Sequence, residues 1–494
     1  MDFLDPKEQK NRTVRLFIGY GLMTVLIFIA SLILVYQSYG FGVDKKTGEV
    51  VQNGLLYIDS APDKANIFID DVEYKASTNT RISLKAGVYK ITLRKDGYRD
   101  WNRKVEIVGG GVLRFTYPML LQTDLAEEEV QNFGNEQTIR SQSPDRRWIM
   151  VTRPGSFKDF TQLDMKDVKI RSGVPVSTQI SFPEEVFSKS SEPQTYEITE
   201  WANDNLHFVV KHTYGASSEY VVLNRDRPET SFSVNKLIGR DPTNLTLRNK
   251  KFDRWNYQDK TTGDLFFATA KKEITELVKA VGIYKTHDDN VILYTQKNKD
   301  GEQNIYLRQD NDTRLLSIVT DGVLALDLEK FDGDWFVVYA SESDKKTYVY
   351  KNPWDDLQKA DTKPAPKAIF HTQTVFSDLK FSANTRFVFV RDGQHFGVYD
   401  AEQDRVYKYD YAEPIDPNTP VKWMDGHRLL AITAGKYSYV EYDGNNKQTL
   451  VSALPGMSVF FDRDYTSLYA LQPSKKISDS TGFILTDLRY QQDK

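Results

Sequence analysis

The side chains most able to do chemistry are few and scattered along this chain. Six histidines are present, His207, His212, His287, His371, His395 and His427. None falls in an H-E-x-x-H or H-x-H arrangement, and each sits in or beside an apolar strand, the setting of a structural imidazole rather than a zinc ligand. The absence of cysteine removes disulfides, thiolate nucleophiles and Cys-ligated metals. No G-x-S-x-G elbow, P-loop or G-x-G-x-x-G occurs: Gly215-Ala216-Ser217-Ser218 lies in a hairpin, and Gly109-Gly110-Gly111 joins two strands. The turns Asp288-Asp289-Asn290, Asp310-Asn311-Asp312 and Asp332-Gly333-Asp334 lack the full oxygen series of a calcium loop and read as solvated turns. The run Arg248 to Tyr257 (RNKKFDRWNY) interleaves cations with aromatics, which suits stacking on a sugar or base, or simply an exposed strand. Trp101, Trp255 and Trp354, flanked by polar residues, are the candidates for carbohydrate stacking. No residue is assigned to catalysis, a cofactor or a metal. The 69 acidic residues leave open a carboxylate pair of the kind a glycosidase needs.

The elements that must position these groups start with Leu16–Tyr36 (LFIGYGLMTVLIFIASLILVY). It holds no Asp, Glu, Lys, Arg, Asn or Gln. At ~1.5 Å per residue it spans the roughly 30 Å hydrocarbon core of a bilayer, so it reads as a transmembrane helix. A cleavable signal peptide would carry an apolar run of only about 7–15 residues ending in a small-x-small site. Lys7, Lys10, Arg12 and Arg15 precede it and place residues 1–15 in the cytoplasm as a short tail, with everything after Tyr36 across the membrane. Residues 37–53, rich in Gly and charge, read as a linker, with Glu49-Val50-Val51 as a possible short strand.

From 54 to 122 apolar and polar residues alternate with a period of two, broken by turn signals, as in a small antiparallel sandwich of seven strands. The clearest strand is Val88–Arg94, where Tyr89, Ile91 and Leu93 form an apolar row and Lys90, Thr92 and Arg94 a solvated one. Ile67, Ile69, Ile82, Leu84, Val105, Ile107, Leu113, Phe115 and Tyr117 complete the core. The sequences Gly54-Leu-Leu-Tyr-Ile-Asp-Ser-Ala-Pro62, Ala65-Asn-Ile-Phe-Ile-Asp70, Leu84-Lys-Ala-Gly87-Val-Tyr89-Lys-Ile91 and Lys95-Asp-Gly97-Tyr98 together resemble a PEGA domain. The naming tetrapeptide stands here as Pro62-Asp63-Lys64-Ala65, and the usual Thr-Pro is replaced by Ser77-Thr78-Asn79-Thr80. Gly87 and Gly97 suit positive-φ turns, while Tyr89 and Tyr98 can bury a ring and keep the hydroxyl wet. The resemblance implies an envelope or surface-layer module without shared catalytic residues.

A second linker is expected over 123–137, marked by Glu127-Glu128-Glu129 and room for a short helix. Beyond it, to Lys494, a degenerate unit of roughly 40–50 residues recurs, the signature of a β-propeller. Each unit has a strand, a polar turn often holding Asp, a strongly apolar strand, a hairpin and a third strand. The turn or second strand of successive units falls at Ser143–Val151, Trp201–Val210, Gly263–Ala268, His287–Tyr294, Asp332–Tyr339, Phe381–Val390, Trp423–Ala431 and Phe461–Ala470. These units resemble the blades of TolB-like and WD40-like propellers. Eight blades are expected, with seven as the alternative because the third and fourth apolar strands stand close together. The last unit runs out after Leu488, so its missing strand should come from upstream of the first blade, within about 128–142.

The expected fold is thus an all-β ectodomain, sandwich plus propeller, on one N-terminal transmembrane helix. The part beyond residue 122 carries eight more acidic than basic residues, which argues against a nucleic-acid partner. The expected function is a membrane-anchored, extracytoplasmic binding or scaffold protein of the cell envelope. Its propeller would recognise a protein or wall polymer, without a cofactor. The alternative is a propeller-type glycosidase or lyase displayed on the cell surface.

Overall fold

A computed structural model of the chain describes residues 6–38, 40–43, 48, 50–134, 139–153, 156–166, 168, 173–288, 290–359, 362–372, 376–454, 456 and 458–489. Glu49, Asp289 and residues 135–137, which figure in the expectations above, lie outside them. The chain divides into two units, Met1–Thr123 and Asp124–Lys494.

The first unit opens with a 33-residue helix, Pro6–Ser38, whose 29-residue portion Lys10–Ser38 is long and apolar enough to cross a membrane and has none of its apolar window buried by protein. The sandwich starts earlier than the alternation indicates. Phe41–Val43, inside the expected linker, pairs antiparallel with Val50–Gln52, the beginning of the strand Val50–Ile58. That strand pairs antiparallel with Thr80–Lys85 and parallel with Val112–Phe115. The parallel pair departs from an all-antiparallel sheet because the whole second sheet is inserted between its two strands, a crossover long enough to reverse direction. The second sheet runs Val72–Ser77, Asn66–Ile69, Gly87–Arg94, Trp101–Ile107. Asp70 and Asp71, at φ 49° and 64°, form the two-residue turn of its first hairpin, where a right-twisted ribbon requires left-handed backbone at both positions. Leu56, Ile58, Ile67, Ile82, Ile91 and Leu93 are fully buried in one core with Trp101 and Phe115. Thr92, assigned to the solvated row, is also buried and donates to Asn102 Oδ1 at 2.8 Å, because its strand lies inside the sheet, flanked on both edges.

The second unit consists of eight four-stranded antiparallel sheets among the described residues. They are numbered here as blades: 1 (139–181), 2 (194–233), 3 (242–278), 4 (284–319), 5 (324–371), 6 (378–410), 7 (422–452) and 8 (460–487 with 127–134). Shared apolar clusters join 1 to 2, 2 to 3, 3 to 4, 4 to 5 and 5 to 6. Trp423 Nε1 donates to Lys380 O at 3.0 Å between 6 and 7, and Tyr465 Oη to Met424 O at 2.8 Å between 7 and 8. First strands touch one another between blades 1 and 2, 4 and 5, and 5 and 6, which places these strands on the inner circumference of a β-propeller.

Local chemistry makes the blades alike. Ser143 Oγ accepts from the Trp148 amide and Ser382 Oγ from the Phe387 amide, each at 3.0 Å, while Asp462 Oδ1 accepts from Ser467 N at 2.9 Å. Arg146, Thr385 and Tyr465 take left-handed backbone in the same turns, at φ 63°, 57° and 54°. The next residue forks onto the third strand in two of them, Arg147 onto Asp164 and Arg386 onto Asp400, with contacts of 2.6 to 2.9 Å. Blade 3 lacks this turn. Its second strand is Arg254–Asp259, and the expected unit at Gly263–Ala268 is its third strand, Leu265–Thr269. Basic residues in the preceding turn and the buried polar residues Asn256, Gln258 and Asp259 hide that second strand in the sequence.

The ring is closed by the stretch expected to be a linker. Glu127–Gly134 is a strand, not a helix or spacer, and pairs antiparallel with Thr481–Asp487 as the outermost strand of blade 8. Of its acidic residues Glu129 is buried and accepts from Ser474 Oγ at 3.0 and 2.8 Å, and Val130 joins Ile149, Leu163, Phe460 and Tyr469 in the core between blades 8 and 1.

At this seam burial, with Asp462 and Glu128 nearby, pushes the Asp487 carboxyl up to about 6 from the ordinary 3.8, against a hydrogen bond from Ser467. A folded-state pKa above the unfolded value means the folded chain binds this proton more tightly, so the contribution is full below about pH 4 and is lost as pH rises through 6. Asp487→Asn is therefore expected to raise the melting temperature relative to the parent at pH 7, with the difference shrinking at pH 4.5.

Candidate functional site

Ionisable groups converge on the inner strands of blades 4 to 7. In the strand Tyr284–His287, Lys285 and His287 share one side because successive strand residues alternate. They meet Asp327 and Glu329 of Leu324–Phe331, again two residues apart: Lys285 Nζ lies 3.9 Å from Asp327 Oδ1, and His287 Nε2 lies 3.2 Å from Glu329 Oε2. Asp327 also accepts from the Leu328 amide at 3.2 Å and, across the seam to blade 6, from the Phe381 amide at 3.1 Å. Burial raises its carboxyl above the ordinary range despite Lys285 and the Phe381 amide. The hydrogen bond to Glu329 raises the His287 imidazole, against burial. Trp335 holds the His287 ring edge-on at 4.9 Å.

The next two blades present Lys380 and Lys422 from Asp378–Phe381 and Lys422–Trp423. Both are exposed, and among the described residues neither forms an ion pair; Lys422 Nζ has Ser458 Oγ at 3.5 Å. Surrounding protein, and then Lys380, lower the Lys422 ammonium. On blade 1, burial pushes Arg140 down to about 10. The inner circumference thus carries carboxylates already held by partners at blade 5 and cations free to take an anionic group at blades 6 and 7.

A cleft of about 190 Å³ lies between blades 3 and 4, lined among others by Arg248, Asn256, Thr286, Asp288, Arg308 and Asp310. It gathers three stretches that the sequence presents separately: the cation–aromatic run and two of the Asp turns. Arg308 donates to Asp310 O at 2.8 Å and Asn311 Oδ1 at 3.3 Å, while Asn256 is buried with its Oδ1 unpartnered. A second cleft of about 180 Å³ between blades 5 and 6 includes His371, Asp392, His395 and Asp410, with His395 Nδ1 and Asp410 Oδ1 2.6 Å apart.

Two of the three tryptophans expected to serve stacking are buried. Trp101 is buried in the sandwich core, Trp255 is fully buried between blades 2 and 3, and Trp354 is half-buried against the cluster of blades 4 and 5. Their polar neighbours misled because strand alternation sends those neighbours to the other face; in Trp101–Ile107 every second residue is buried. His207 is paired with Asp204 at 2.6 Å and stacked on Phe252, and His212 is buried against Glu219 at 2.8 Å. The turn at 332–334 is structural: Asp334 binds Lys351 and Asn352, each at 2.7 Å. Among the described residues no three His, Asp or Glu are placed to hold a metal ion. Of the PEGA positions, Ala65 and Tyr98 are buried, Pro62 and Gly87 half-buried, Gly97 turns at φ 80°, and Tyr89 Oη donates to Lys85 O at 3.1 Å. Lys7 lies in the helix Pro6–Ser38, and Lys10, Arg12 and Arg15 are exposed along its first turns. Lys285, Lys380 and Lys422 escaped the sequence reading because their inner strands are only four, four and two residues long, and Asp327 and Glu329 because they are single charges in the mainly apolar strand LALDLEKF. Their one signal is position, shortly before the polar turn of each blade.

Residues 53–121 match the family of the PEGA domain, and this segment is a PEGA domain. No curated protein matches the sequence. Among solved structures, Kluyvelomyces marxianus Hsv2 is similar at 11% identity over 62% of this chain and 92% of that one, with a TM-score of 0.38. The Myceliophteria thermophila Cps50 (Swd1) β-propeller domain gives 10% identity over 67% and 100%, with a TM-score of 0.38. Dihydro-heme d1 dehydrogenase NirN in complex with DHE gives 13% over 64% and 67%, with a TM-score of 0.41. At such scores these likenesses carry nothing about activity.

Proposed function

We propose that the chain is a single-pass, membrane-anchored scaffold of the cell envelope whose propeller binds an envelope protein or wall polymer through an anionic group. The apolar stretch of Pro6–Ser38, unburied by protein and preceded by Lys10, Arg12 and Arg15, supports an anchor with a cytoplasmic N-terminus and the remainder on the far side. The observation that carries the binding role is the pair Lys380 and Lys422, exposed and, among the described residues, without carboxylate partners, on inner strands joined by the Trp423 Nε1–Lys380 O hydrogen bond. Loops and strand ends fixed to such a ring form a rigid recognition face. The acidic excess beyond residue 122 disfavours nucleic acid as the partner.

The enzymatic reading has one observation in its favour. Asp327, its carboxyl raised by burial, stands two residues from Glu329, and glycosidases work with a pair of carboxyl groups, one of them raised to act as the acid. Their engagement with backbone amides, Lys285 and His287 favours a structural role. The immobilised full chain in detergent is expected to retain one discrete envelope component, released by salt and lost in Lys380→Ala/Lys422→Ala, and to turn over no glycan. Glycan turnover lost in Asp327→Asn or Glu329→Gln would establish the enzyme instead.

A further inference from the structure

Every blade of a propeller ends in an outer strand with a free edge, and such edges pair with other chains unless something blocks them. Most of these edges are guarded here. Glu127–Gly134 carries Glu127, Glu128 and Glu129 and breaks its register; Ile274–Val278 has Glu276 and a shifted register; Asp312–Val319 has Asp312, Arg314 and a shifted register. Arg405–Asp410 carries Arg405, Lys408 and Asp410, and Gln448–Ser452 is bulged. Phe232–Ser233 and Ala368–His371 are only two and four residues long.

The outer strand of blade 1 has none of these devices. Val176–Ser181 is six residues long and pairs with Ser156–Asp164 in unbroken register from Asp159↔Ser181 to Asp164↔Val176. From Val174 to Pro183 the sequence VPVSTQISFP holds no charge, and Val174 and Val176 are 71% and 68% exposed. We propose that this strand is a homotypic docking edge, on which a second copy of the chain adds its own Val176–Ser181 antiparallel.

The strand is complementary to itself. With the two-fold axis at Thr178, Thr178 faces Thr178 and Ser177 faces Gln179, so the exposed polar residues meet one another, while Val176 falls opposite Ile180, which stays buried against blade 2. Thr–Thr and Ser-containing pairs of this kind stabilise cross-strand contacts, and no like charges oppose one another. Gln179 is already held by Thr161, Nε2 to Oγ1 at 2.9 Å, and Ser181 donates to Asp159 Oδ1 at 2.6 Å, which steadies the edge for a partner. Backbone hydrogen bonds would supply the affinity and the alternating side chains the register.

Because the chain has no cysteine, Thr178→Cys introduces the sole thiol. Directly opposed residues of an antiparallel pair have Cβ atoms about 4.5–5.5 Å apart, within reach of a disulfide after slight adjustment, and diagonal neighbours stand about 7–8 Å apart. Full-length T178C in native membranes is expected to give a disulfide-linked dimer under mild oxidation. S177C or Q179C alone should not, whereas co-expressed S177C and Q179C chains should cross-link to each other. Thr178→Lys, which opposes two cations, should reduce the detergent-solubilised mass to that of the monomer with an unchanged melting temperature. Self-cross-linking of T178C no greater than that of S177C, or cross-linking to a different protein, would overturn the proposal.

Discussion

An ectodomain that starts at Ser143 is expected to aggregate, while one that starts at Glu127 stays soluble and unfolds in a single transition. The shorter chain lacks Glu127–Gly134, which bares the edge of Thr481–Asp487 along Phe483, Ile484 and Leu485, residues that are 1%, 0% and 0% exposed in the closed ring. An unpaired apolar edge is a template for intermolecular pairing. The same truncation removes Val130 from the core between blades 8 and 1 and leaves Ser474 without its Glu129 acceptor. Light scattering and urea unfolding of the two fragments measure the difference, and a soluble, cooperative fragment from Ser143 would show that the ring does not depend on this strand.

Ile91→Asp is expected to unfold the PEGA sandwich. Ile91 is fully buried at the centre of its sheet, between Ile69 and Arg103 on the flanking strands. Placing a carboxylate there costs several kcal/mol, comparable to the whole stability of a domain of about 70 residues at roughly 0.1 kcal/mol per residue. The neighbouring Lys90→Ala removes only an ion pair with Asp71, at 2.9 Å with side chains 52% and 64% exposed, and is expected to cost under about 1 kcal/mol. Limited proteolysis of the full chain should cut 50–121 rapidly in I91D and at the parent rate in K90A; equal resistance would refute the assigned strand register.

These two cases also show what the sequence makes legible. Local periodicity is plain: the apolar helix, the row Tyr89, Ile91, Leu93, and the turns at Ser143, Ser382 and Asp462 all announce themselves within about ten residues. Even the need for a closing strand follows from the truncated last unit, although Glu127–Glu129 disguise that strand as a polar boundary. Long-range outcomes are not legible. Lys285, Asp327, Lys380 and Lys422 lie on separate blades and are brought together only by the packing of consecutive blades. Burial of Thr92 and Trp255 depends on which strands flank them, and blade 3 is obscured because its polar residues are paired inside the protein. The unguarded edge at Val176–Ser181 becomes visible only once the outer strand of each blade is known.

The most direct test of the binding role uses intact cells. A membrane-impermeant, lysine-reactive cross-linker followed by mass spectrometry is predicted to join Lys380 or Lys422 to one discrete envelope component without lysis. That cross-link should vanish in Lys380→Ala/Lys422→Ala. Labelling of these lysines only after lysis, or labelling in intact cells with no component joined to either, would contradict it.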